Sequence, residues 1–113
     1  MVIGHCTYRV KKGKREDFLK GLAESRFIEK ANQEEGCLYY SPYLPINDED
    51  SVYVSECWEN EENLANHMHT PHIKDLDKLT ADYIEGLTLD FYSGGIKRNC
   101  EYKTAAQLLG IEP

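Results

Sequence analysis

Three histidines fall within six residues of this chain, His67, His69 and His72, and a Thr70-Pro71 pair between them must interrupt any helix they occupy. Imidazole moves protons near neutral pH and ligates metals, so such a cluster is the first place to look for chemistry. Just upstream stand Trp58, the only tryptophan, and Glu56, a carboxylate inside the alternating apolar pattern Val52, Val54, Glu56, Trp58. The segment 55–72 reads as a strand running into a broken helix, and ionisable groups gathered where two elements meet favour a small-molecule site.

His67 lies at the end of a helix and His72 at the start of the next, so the helix dipole acts on them in opposite senses. On that ground His72 is expected as a base and His67 as a polar anchor. The bland alternative is that both satisfy the broken helix ends. A metal site is not expected: positions i and i+2 of a helix point apart, so His67 and His69 cannot easily share an ion. His5 and His69 read as surface residues.

Glu56 needs a partner or a raised pKa on its face, and could hold a histidine or a substrate hydroxyl; a structural hydrogen bond, or pairing with Arg26, is the plainer use. Trp58, Tyr39 and Tyr8 could line a flat aromatic pocket, although strand aromatics are more often core. Arg26 could meet an anionic substrate or Glu56, or snorkel at the surface.

The elements that must position these groups follow from periodicity. Val2–Val10 is a strand, and residues 14–32 form one helix with Phe18, Leu22 and Ser25 inward. Gly36 makes the left-handed exit. Cys37–Tyr43 and Ser51–Trp58 form two strands joined by a polar loop. Asn60 caps a helix that Thr70-Pro71 interrupts, with Thr70 as the new cap and Pro71 its first residue. Ile73, Leu76, Leu79 and Tyr83 face inward, and Gly86 stops that helix. Leu87–Tyr92 is the fourth strand. This β-α-β-β-α-β order is the ferredoxin-like α+β arrangement with a four-stranded antiparallel sheet. Residues 1–95 form the domain, and 96–113 a tail that could carry a short helix near Thr104–Leu109. Aromatic residues fall on both sheet faces: Tyr8, Tyr39, Tyr43, Trp58 and Phe91 against Tyr40, Tyr53 and Tyr92. One face packs on the helices, and the other is expected to meet a second copy, making a homodimer.

The whole chain fits one globular domain: 113 residues, 41% hydrophobic, 29% charged. A net charge of −7 argues against nucleic acid. Neither a membrane-spanning run nor a signal peptide is read, so a cytoplasmic protein is expected. The four cysteines, Cys6, Cys37, Cys57 and Cys100, lack paired metal spacing and are expected as free thiols.

Several segments together carry a family resemblance. They are Val10-Lys11-Lys12-Gly13-Lys14 with Phe18, then Glu34-Glu35-Gly36-Cys37-Leu38-Tyr39-Tyr40, then Glu56-Cys57-Trp58-Glu59-Asn60-Glu61-Glu62, and finally His67 with Thr70-Pro71-His72. In this order the chain, over residues 2–93, resembles the antibiotic biosynthesis monooxygenase (ABM) domain, a dimeric α/β-barrel. The resemblance implies a cofactor-free monooxygenase of a quinol or related electron-rich aromatic, working with O2 and no cofactor. Heme-degrading members are similar in fold, but their Asn, Trp and heme-ligating His positions hold Cys6, His67 and Asp77 here. An isomerase of a phosphorylated carbonyl compound is also similar around Glu34-Glu35-Gly36 and His67 to His72. A non-catalytic ligand-binding dimer is the third reading.

Overall fold

The computed structural model describes residues 1–93 and the backbone strand at 96–102. Its elements, in chain order, are β1 (Val2–Val10), α1 (Arg15–Ser25), α2 (Phe27–Asn32), β2 (Cys37–Tyr43), β3 (Ser51–Trp58), α3 (Glu61–His67), α4 (Ile73–Tyr83), β4 (Ile84–Ser93) and β5 (Ile96–Tyr102). The strands form one antiparallel sheet in the order β2-β3-β1-β4-β5. Its first four strands carry the ferredoxin-like topology expected from the sequence. The fifth extends the sheet beyond β4, where the sequence reading placed only a tail. Lys97, Arg98, Asn99 and Glu101 make four of its seven residues polar, a composition that suits an edge strand and hides it from a hydrophobicity search. The short helix expected near 104–109 lies outside the described residues.

The helices cover one sheet face. Val2, Cys6, Tyr8 and Val10 of β1 alternate inward, joined by Val52, Val54 and Trp58 of β3 and by Leu87, Leu89 and Phe91 of β4. Trp58, Phe18 and Phe27 are fully buried in this layer, each contributing roughly 1.5–3 kcal/mol of transfer energy.

The expected single helix over 14–32 is broken at Arg26, which takes φ 59° between α1 and α2. Phe18 and Leu22 set one stripe, and a straight helix would continue it through Ser25 and Glu29. The kink turns Phe27 and Ala31 inward instead, both fully buried. Ser25 secures the break, donating to the Leu22 carbonyl at 2.9 Å and accepting from the Phe27 N–H at 3.2 Å.

Two further boundaries differ from the sequence reading. Thr70 does not cap α4; its hydroxyl donates back to the His67 carbonyl at 2.9 Å, and α4 begins at Ile73 with His72 in the cap position. Gly86 does not end α4, since β4 already starts at Ile84. Gly86 instead faces the Arg9 side chain across the β1–β4 pair, where a Cβ would collide.

The register of β2 carries the largest consequence. An irregularity between Cys37 and Tyr39 pairs Tyr39 with Cys57 and Tyr40 with Glu56. Asn32 locks this register, accepting from the Tyr40 N–H at 3.0 Å and donating to its carbonyl at 2.8 Å. Tyr40 therefore points inward, buried, while Tyr39 and Tyr43 go to the open face, the reverse of the faces expected for β2. The open face remains aromatic: the His5 ring sits 5.6 Å from both Tyr53 and Tyr92, and Tyr43 lies 6.2 Å from Tyr53.

Candidate active site

Three separate segments deliver the chemistry-bearing side chains to one point. Glu34 stands in the turn after α2, which Gly36 completes at φ +78° with its α-carbon packed against Asn63 of α3. Asn60 caps α3, its side chain accepting from the Asn63 N–H at 2.8 Å. His67 ends α3, and the break at 68–72 swings the chain so that His72 opens α4. One carboxylate oxygen, Glu34 Oε2, then lies 2.7 Å from His67 Nδ1 and 2.7 Å from His72 Nε2. All three side chains are shielded, at 11%, 3% and 14% exposure for Glu34, His67 and His72.

The indole of Trp58 backs this cluster, its ring 4.6 Å from that of His67. Its Nε1–H donates to Glu56 Oε1 at 3.0 Å, so Glu56 finds its partner on its own strand and not at Arg26. Gly4 makes this possible. It pairs with Glu56 across β1 and β3, and a Cβ there would stand 2.9 Å from Glu56 Cγ and 2.8 Å from the Phe91 ring. Burial pushes the Glu56 carboxyl above its ordinary value, the charge of His67 and the Trp58 hydrogen bond pull against it, and Glu34 adds to the rise.

Between sheet and helices a small cavity is lined on its polar side by Tyr8, Tyr40, Glu56, His67 and Cys6. Met68, Ile73, Leu76, Leu87 and Leu89 form its apolar wall. Its volume, about 20 Å³, is room for about one water. Burial pushes the phenols of Tyr8 and Tyr40 well above the usual tyrosine value, so both remain O–H donors. The Cys6 thiol is pushed well up by the same cause.

The expected site residues are thus divided. His67, Glu56 and Tyr8 face the cavity, and His72 stands one carboxylate away. Trp58 is fully buried behind His67 and does not line the cavity. Tyr39 is on the open sheet face, and the inward tyrosine of that strand is Tyr40. Arg26 is at the surface, bound to Glu29 Oε2 at 2.8 Å and 3.0 Å. Glu34, the residue that joins the two histidines, stood in the sequence at the end of a helix and within a segment of the family resemblance, but was not singled out as a site residue. Its signal was an acid two residues before a glycine that must turn left-handed. Among the described residues, Cys6, Cys37 and Cys57 are free thiols. Burial and the nearby Glu34, Glu56 and Cys57 push Cys37 up to about 11, which keeps it protonated and unreactive. No helix among the described residues is long and apolar enough to cross a membrane.

Fold and site together define a ferredoxin-like α+β domain with a carboxylate–imidazole cluster beside a small cavity. The family model for antibiotic biosynthesis monooxygenase matches residues 1–78, and the chain belongs to that family. It is 32% identical over 76 residues to an uncharacterized protein of Synechocystis; the match covers 67% of this chain and 50% of that relative, so the chain spans about half its length. Similar solved structures include one from Nitrosomonas europaea, named for the same family, at 21% identity and a TM-score of 0.74 over 83% of this chain and 98% of that one. One from Deinococcus radiodurans, also named for the family, has 22% identity and a TM-score of 0.71 over 88% and 98%. A Shewanella oneidensis protein has 17% identity and a TM-score of 0.74 over 87% and 90%. These three likenesses speak to the fold.

Proposed function

We propose that the protein is a cofactor-independent monooxygenase of a quinol or related electron-rich aromatic. The observation that supports this most is the contact of Glu34 with His67 Nδ1 at the wall of the cavity. A carboxylate on one imidazole nitrogen orients the ring and leaves the other, Nε2, for proton transfer, as in the acid–histidine pairs of hydrolases. This gives the base role to His67, which lines the cavity, and a supporting role to His72, which shares the same carboxylate oxygen. Tyr8, Tyr40 and Glu56 would hydrogen-bond the substrate oxygens, and the apolar wall would hold the ring dry.

In this reaction His67 removes the phenolic or enolic proton. The anion gives one electron to O2, and the substrate radical and superoxide combine at carbon. The peroxide takes back a proton from the imidazolium and loses water. One oxygen atom ends as a carbonyl in the product and the other as water, and the substrate's own electrons do all the reducing. Met68, unbranched and adaptable, is the wall residue best suited to yield when a ring enters. The open aromatic face of the sheet supports a sheet-to-sheet homodimer, and the free thiols suit a cytoplasmic setting. A phosphorylated carbonyl substrate is less well supported: no Lys or Arg is among the residues lining the cavity, and Arg26 is engaged at the surface.

The test is oxygen uptake by the metal-stripped protein with a panel of hydroquinones, beside His67→Ala and His72→Ala. Uptake above autoxidation that falls by about 10²–10⁴-fold in His67→Ala supports the reading. No uptake with any quinol, or full turnover in His67→Ala, overturns it, and ligand binding without turnover would identify a binding protein.

A further inference from the structure

We infer that Glu34, His67 and His72 form a binding site for one divalent transition-metal ion of the zinc class. The observation is a juxtaposition that no single stretch of sequence contains. Glu34 Oε2, His67 Nδ1 and His72 Nε2 all lie within 4.8 Å of one another, and they come from the turn after α2, the end of α3 and the start of α4. Two imidazole nitrogens and one carboxylate oxygen make the donor set of open zinc sites and of related iron sites, with positions left for water or a ligand.

A metal requires the three donors to rearrange: the N···O pairs must widen, and the two histidine nitrogens, which lie within 4.8 Å of each other, must draw together. Ligand atoms about 2.1 Å from an ion, at angles between octahedral and tetrahedral, stand roughly 3.0–3.4 Å apart. The two N···O separations are 2.7 Å, so each must open by about half an ångström. The turn at 68–72 joins the two histidine ligands and is the natural place for that adjustment. The shielding of all three side chains favours an ion over a loose encounter, because the carboxylate charge is little screened there. His69, the histidine nearest in sequence, is exposed and takes no part. The sequence reading set metal aside because His67 and His69 diverge; the third ligand is Glu34, which lies 33 residues before His67.

Metal occupancy would engage His67 Nδ1, Glu34 and His72 together and so remake the hydrogen-bonded cluster. The inference does not depend on the oxygenase reading, and its test uses neither quinol nor O2. Metal-stripped full-length protein is titrated with Zn²⁺ by calorimetry and with Co²⁺ by visible absorption. One equivalent per chain should bind, with d–d bands of low coordination number for Co²⁺. Affinity should fall at least about tenfold in His72→Ala and in Glu34→Gln, and stay unchanged in a His5→Ala/His69→Ala double variant. Imidazole NMR of the wild-type chain keeps the test independent of variant folding: Zn²⁺ should move the His67 and His72 signals and leave His5 and His69 in place. Absence of a saturable equivalent overturns the inference. So does an affinity unchanged in both His72→Ala and Glu34→Gln, or lost with His5 and His69, or an NMR response confined to His5 or His69.

Discussion

Glu34 and His67, 33 residues apart in sequence, share a 2.7 Å contact between Oε2 and Nδ1, and the same oxygen reaches His72. The carboxylate belongs to a turn and the imidazoles to two helix ends, so one acid ties three segments together. Glu34→Ala leaves both rings without that partner inside a shielded site. It should lower unfolding free energy by about 1–3 kcal/mol, measured by urea denaturation. Glu34→Gln keeps an acceptor and should lose less stability while lowering quinol turnover by on the order of 10²-fold. Equal stability in all three proteins would show that the contact carries no weight.

Glu56 makes stability depend on pH. Its carboxyl is raised in the folded protein by burial, so the native state holds this proton more tightly than the unfolded chain does. Protons bound in excess by the native state make stability fall as pH rises. The contribution is intact below the unfolded value of about 4.3 and is lost as pH climbs through the raised native value. Glu56→Gln should therefore show a flatter decline of Tm with pH above about 4.3 than the wild type. A Tm–pH slope unchanged by the substitution would contradict this.

Gly4 leaves room for that carboxylate. Gly4→Ala places a methyl group 2.9 Å from Glu56 Cγ and 2.8 Å from Phe91. The strand is packed on both sides, so the expected cost is about 1–3 kcal/mol, with a changed Trp58 fluorescence as the indole bond to Glu56 shifts. Wild-type Tm and fluorescence would show that Phe91 and Glu56 yield freely.

Arg26 tests the other direction. It adopts φ 59°, a conformation that costs a side-chain-bearing residue roughly 1–2 kcal/mol, and its guanidinium binds the exposed Glu29. Arg26→Gly should hold or raise Tm, because the exposed pair is worth little, and should leave turnover unchanged. A raised KM would show that Arg26 reaches substrate.

The architecture was legible because each of its signals is local. The stripe of Phe18 and Leu22, the Asn60 cap, the Gly36 exit and the inward alternation of Val2, Cys6, Tyr8 and Val10 are all written within a few neighbouring residues. The helix break that brings His67 and His72 together was legible for the same reason. The choice between Tyr39 and Tyr40 was not, since it turns on one irregular residue in β2 and on the long reach of the Asn32 amide. A single-residue slip exchanges strand faces, and periodicity cannot locate it. The kink at Arg26 escaped because no glycine or proline marks it; the burial of Phe27 imposes it. Glu34 escaped because its role exists only after three segments meet.

A cavity with room for about one water sets a rule for binding kinetics. An aromatic ring is larger than that space, so binding one requires the wall to widen. Association should then be slower than diffusion allows, and the observed rate should level off as ligand concentration rises, at a plateau equal to the opening rate of the protein. Two chemically different ligands would share that plateau, and shortening Met68 would raise it for both.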